Sequence, residues 1–143
     1  MPQDIDVVFV CEHGAAKSII AATYFNQLAS QAGLDLRAVA RGTNPDPELS
    51  PQAIKGLAED GLRPTESSPQ NLTETDIQSA QRVVTFCELP KEYQGQVTVE
   101  RWNDVPPVSK NYEKARDVII EHIKQLLSHK DKFIEHKNNR NRL

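Results

Sequence analysis

The apolar positions of this chain fall into short continuous runs separated by stretches in which they recur at helical spacing. Ile5-Asp6-Val7-Val8-Phe9-Val10 is β-branched and almost wholly apolar, the pattern of a strand buried on both faces of a parallel sheet. Leu36–Ala40, Arg82–Cys87 and Val97–Trp102 read as three further strands. Between the first two, Ile20, Tyr24 and Leu28 recur every four residues, which predicts a helix over Ser18–Ala32 with Gly33 as its stop. Short helical stretches at Pro51–Leu57 and Leu72–Ile77 precede the third strand. From Asn111 onward, Val118, Ile119, Ile123, Leu126 and Leu127 make the apolar face of a long helix. Pro, Ser and Asn collect between Gly42 and Ser50 and again between Arg63 and Asn71, so these segments read as loops. Strands alternating with helices imply an α/β layered fold.

Composition limits the architecture to one core. A chain of 143 residues with 38% hydrophobic positions suits a single domain, here residues 1–128, followed by a polar helix end or tail at 129–143. No segment approaches the roughly 18 apolar residues of a membrane span, and the first residues lack the basic-then-apolar order of a signal peptide. The expected address is the cytoplasm, without a membrane partner. A net charge of −3 creates no global field that would gather nucleic acid, so an anion site must be local. The two cysteines, Cys11 and Cys87, make a poor disulfide framework, and chemistry better explains at least one of them. His122, His129 and His136 recur every seven residues, about 10 Å apart along a helix axis and too far to share an ion. They read as solvated, and neither a metal nor a cofactor is expected.

The turn from the first strand into its helix is Cys11-Glu12-His13-Gly14-Ala15-Ala16-Lys17-Ser18. In open α/β sheets ligands bind beyond the carboxyl ends of the strands, at such turns. Small residues at Gly14, Ala15 and Ala16 let backbone N–H groups converge, and the following helix adds the positive end of its dipole. This makes residues 12–18 a candidate cradle for a tetrahedral anion. The same field favours a thiolate at Cys11 and makes it a candidate nucleophile, although an arbitrary cysteine at a strand end is more often simply buried. His13 is a titratable group beside the anion, but a lone loop histidine is more often a surface residue and is read so here.

At this loop the sequence resembles the low-molecular-weight protein tyrosine phosphatases and the arsenate reductases that share their fold. Their loop is C-x5-R-S; here it is C-x5-K-S, after an apolar strand and before a helix. The likeness runs roughly from Ile5 to Ser128, because Arg41-Gly42-Thr43-Asn44, Asp76-Ile77, Val83-Val84-Thr85-Phe86-Cys87 and Trp102-Asn103-Asp104 also match family segments in order. It implies a three-layer sandwich around a four-stranded parallel sheet of flavodoxin-like order 2-1-3-4. It further implies that Cys11 attacks phosphorus or arsenic, that Ser18 supports the thiolate and that Asp104 is the general acid. The implied partners are phosphate, arsenate or a phosphorylated substrate.

Three departures from the family pattern bear on activity. Lys17 replaces an arginine whose planar fork bonds two oxygens, and losing one charge-assisted bond of about 1.5–3 kcal/mol slows a reaction by roughly ten- to a hundredfold. Gly14 replaces the usual asparagine, keeping the left-handed backbone but not the side-chain tie. Asp104 does not directly precede a proline, and an ordinary loop aspartate competes with the acid role. Cys87 matches a redox cysteine of thioredoxin-coupled arsenate reductases, whereas a buried structural thiol is its plainer reading. Glu88–Gly95 holds no third cysteine, so an internal three-cysteine relay cannot operate, which leaves a Cys11–Cys87 disulfide or rescue by an external thiol. Three functions stay open: phosphate monoester hydrolysis, thiol-dependent arsenate reduction, and oxyanion binding with weak turnover.

Overall fold

A computed structural model describes residues 5–93 and 99–129. The expected tail at 130–143, His136 and the start of the fourth strand at 97–98 lie outside the described residues. Four strands, β1 (Val7–Cys11), β2 (Ala38–Gly42), β3 (Arg82–Thr85) and β4 (Val99–Arg101), form one parallel sheet of order β2-β1-β3-β4. The expected topology and class are those observed. β1 is central and buried along its whole length, as its unbroken apolar run requires.

Alternation along β1 divides the core. Val7 and Phe9 face α1 (Lys17–Gln31), α2 (Pro51–Glu59) and α4 (Tyr112–Ser128), together with Ile19, Phe25, Leu57, Ile119 and Ile123. Val8 and Val10 face the other side, with Ile77 of α3 (Glu74–Ser79). Helices on both faces of the sheet complete three layers. α1 is buried more broadly than a single stripe: Ser18 to Thr23, Phe25 and Ala29 are all covered, while Tyr24 and Leu28 sit half-buried at the edge. The reason is that α1 packs against both the sheet and α4. Its end is a Schellman motif, with Gly33 at φ +73° and the Leu34 amide bonded to the Ala29 carbonyl at 2.9 Å.

The second strand runs two residues later than the apolar pattern suggests. The Asn26 amide brackets Ala38, accepting from its N–H at 2.7 Å and donating to its carbonyl at 3.1 Å. Arg41 stays in the strand because its guanidinium reaches Asp76 at 3.0 Å and Glu66 at 3.1 Å. β3 ends at Thr85, short of the expected Cys87, and Phe86 and Cys87 continue into the loop above. Asp60, at the end of α2, accepts from Tyr24, Tyr112 and Arg116 and so ties α1, α2 and α4 together. Although burial acts against it, these bonds hold the Asp60 carboxyl below its ordinary range. Burial and the Asp60 contact push the Tyr24 hydroxyl up to about 12.

Candidate active site

The loop of residues 11–16 has its shape imposed by a second segment. Carbonyls of Cys11, Glu12, His13 and Ala15 accept from the amides of Thr43, Asn44, Asp46 and Ser50, at 3.2, 2.7, 3.0 and 2.9 Å. The Ala16 carbonyl accepts from Ile20 at 2.9 Å inside the helix. Peptide planarity turns each following N–H the opposite way from its carbonyl. The loop therefore directs N–H groups inward, which is the requirement for binding an oxyanion. α1 has no side-chain cap at Ala16, so its positive end is left for a ligand.

Gly14 makes this path reachable. Its φ is +61°, and its backbone lies against Gly42 so closely that a Cβ on Gly42 would sit 2.7 Å from the Gly14 nitrogen. A Cβ on Gly14 would in turn meet Gly42 at 2.9 Å. Both residues must be glycine for the end of β2 to support the loop.

A cavity of about 330 Å³ opens above this loop, lined by Cys11, Glu12, His13, Ala15, Ala16 and Lys17 from the loop itself. Asp46, Ser50, Phe86, Cys87, Val108 and Ser109 close it from neighbouring segments. Cys11 lies at the floor, 9% exposed, and its sulfur is 3.0 Å from the Ser18 hydroxyl, which is fully buried behind it. Cys87 shares the cavity, where burial pushes its thiol up and the adjacent Cys11 adds to the shift. It is consequently held protonated beside Cys11.

Of the residues expected from sequence, Cys11, Glu12, His13, Ala15, Ala16, Lys17 and Cys87 meet in the cavity, with Gly14 and Ser18 supporting it from behind. Asp104 does not join them. Its carboxylate is bound by His122 Nε2 at 2.8 and 3.0 Å, on the α4 side of the loop, and this contact holds it below the ordinary carboxylate range. Asp104 is not among the residues lining the cavity, and its carboxylate is engaged by His122. The reading of His122 as a solvated histidine is corrected as well: its ring stacks on Trp102 at 4.5 Å and 14°. His129 is exposed as expected. Trp102 is a core aromatic, packed also on Phe9 and Phe86.

Asp46, Ser50, Val108 and Ser109 were not singled out by the sequence pattern. The Gly42–Ser50 loop carried the available signal, since its Pro, Asp and Asn content marks a turn beside the cradle, but Thr43 and Asn44 hold the cradle through their backbone amides, with the Thr43 hydroxyl also donating to the Glu12 carbonyl, and do not line the cavity. Ser67 and Ser68 are likewise outside the lining. Among the described residues no cluster of metal-ligating side chains occurs, and no helix is long and apolar enough to cross a membrane.

Comparison with known proteins agrees with this geometry. The sequence profile of the low molecular weight phosphotyrosine protein phosphatases matches residues 6–117. An arsenate reductase from Archaeoglobus fulgidus is 26% identical, with a TM-score of 0.72 over 86% of this chain and 99% of that one. A low molecular weight protein tyrosine phosphatase from T. tengcongensis is 19% identical, with a TM-score of 0.71 over 87% and 99% of the two chains. A cysteine-to-serine mutant of the arginine phosphatase YwlE of Bacillus subtilis, with that active-site serine phosphorylated, is 21% identical, with a TM-score of 0.75 over 90% and 97%. No curated protein sequence matches the chain. With the match spanning the strand, the cradle and most of the layers around them, the chain belongs to the low molecular weight phosphotyrosine protein phosphatase family.

Proposed function

We propose that this protein hydrolyses phosphate monoesters through a phosphocysteine formed on Cys11. The observation that carries the reading is the sulfur at the floor of a loop whose carbonyls are bonded outward, with Ser18 at 3.0 Å. In this reading the inward amides of residues 12–17 and the Lys17 ammonium neutralise the oxygens of the phosphoryl group. Ser18 donates to the sulfur and favours its thiolate. The thiolate attacks phosphorus, the ester bond breaks, and water later cleaves the S–P bond to release inorganic phosphate. Protein phosphotyrosine is one substrate that fits this chemistry.

Cys87 in the same cavity favours a second reading, arsenate reduction, with an external thiol reductant completing the cycle. One paired assay separates the two. Turnover of an aryl phosphate should fall by about three orders of magnitude or more in Cys11→Ser, as for removal of a catalytic nucleophile. Equal rates for the two proteins would overturn hydrolysis through Cys11. Arsenite production with thioredoxin, glutaredoxin or a small thiol, without aryl phosphate hydrolysis, would establish the second reading instead.

A further inference from the structure

Hydrolysis through Cys11 needs a proton for the departing oxygen, and the aspartate expected to give it faces His122. The position of the donor follows from the direction of attack. The nucleophile lies at the cavity floor, so an in-line leaving group departs toward the mouth. Donors deep in the loop are on the wrong side. At the mouth stand Glu12, His13 and Asp46, whose side chains are 63, 52 and 49% exposed and which line the same cavity as Cys11.

We infer that His13 is the general acid of this site, with Asp46 as the residue that positions it. The inference rests on the phosphatase reading above. His13 Nδ1 lies 3.1 Å from an Asp46 carboxylate oxygen, an ion-pair contact when the ring is protonated. Asp46 is itself fixed, because its amide donates to the His13 carbonyl at 3.0 Å. Backbone and side chain of the two residues are thus joined in a closed pair. The opposite nitrogen, Nε2, is 3.8 Å from Glu12, too far for a direct hydrogen bond, and in this proposal it is the atom that serves the leaving group. The charged and titratable groups in contact with this imidazole are Glu12 and Asp46, and Lys17, Cys11 and Cys87 line the same cavity.

The step balances without a further reactant. As the Cys11 thiolate forms its bond to phosphorus, the ester P–O bond breaks and its electron pair stays on oxygen. That oxygen takes the Nε2 proton of cationic His13, leaving neutral imidazole. The imidazole then removes a proton from the water that attacks the phosphocysteine, which restores both His13 and the thiolate. The arrangement is a histidine oriented by a carboxylate, applied to a leaving group instead of to a nucleophile.

The test compares two substrates that differ in their need for an acid. Phenyl phosphate releases a basic phenoxide and needs protonation; dinitrophenyl phosphate releases an anion stable without it. His13→Gln should lower kcat/KM for phenyl phosphate by about a hundredfold, within the range of a general acid, and for dinitrophenyl phosphate by less than about threefold. The alkaline fall of the phenyl phosphate pH profile should vanish with it. Asp46→Asn should lower phenyl phosphate turnover by about tenfold and retain that alkaline fall, because the histidine remains but is no longer held. Equal losses on both substrates, or an unchanged pH profile in His13→Gln, would overturn the assignment. If wild type shows no Cys11-dependent turnover of dinitrophenyl phosphate, the phosphatase reading fails and the assignment with it; turnover there with an insensitive His13 defeats the assignment alone.

Discussion

Of the loops that reach the cavity from the carboxyl ends of the strands, those after β1 and β4 are held in opposite ways. The loop after β1 is fastened through its backbone, by amides of residues 43–50. The loop after β4, residues 102–111, is fastened by side chains: Trp102 in the aromatic core, Asp104 on His122, and Asn111 capping α4 through the Lys114 amide. Backbone fastening does not draw on the loop's own side chains to hold its shape, so Glu12, His13 and Lys17 line the cavity. Side-chain fastening consumes the groups it uses. Asp104 anchors its loop through His122, while the same loop still delivers Val108 and Ser109 to the cavity wall.

The contrast is broken or sharpened most strongly at Gly42. A methyl group there meets Gly14 backbone, which no rotamer change relieves. Gly42→Ala should destabilise the fold by about 1–3 kcal/mol, the usual size of backbone strain, and lower Cys11-dependent turnover by at least about tenfold. A denaturant midpoint and a rate equal to wild type would mean that the loop does not depend on this contact. Asp104→Asn should do far less to the chemistry, changing kcat/KM by less than about twofold. A loss of a hundredfold would return the acid role to Asp104 and abolish the distinction between the loops.

The smallest effect concerns acid stability. The His122 contact lowers the folded-state pKa of Asp104, so its contribution is present above the unfolded value of about 3.9 and lost as pH falls through the folded one. Solvent screens this exposed pair, so the difference is slight. Wild type and Asp104→Asn should differ slightly in unfolding midpoint at neutral pH and converge in acid. A gap that persists below about pH 3 would show that the carboxylate charge is not what fastens the second loop.

These contrasts also explain what could be read from sequence. β1, the cradle and α1 follow from local signals, namely an unbroken apolar run, small residues and a helix stop at Gly33, whereas the sheet order came from the family resemblance. Arg41 hid the end of β2, because a charged residue in a strand is explained only by the distant carboxylates of Glu66 and Asp76. Asp46 and His13 lie in separate loops, and nothing local announces that their side chains meet. His122 looked solvated on its own helix because the Trp102 ring that covers it comes from another element. Asp104 was placed by likeness to a family segment, and that likeness carries no information about which way a loop carboxylate turns.

The back-to-back contact of Gly14 and Gly42 has a consequence for how this site can vary. Because each glycine excludes a side chain on the other, the two behave as a single position split across two strands' loops. A replacement at residue 14 is therefore constrained by the end of β2 as much as by the cradle's chemistry. Restoring a side-chain tie at residue 14 would first require the two backbones to move apart, and the amides of Thr43 and Asn44 would be drawn away from the loop with them.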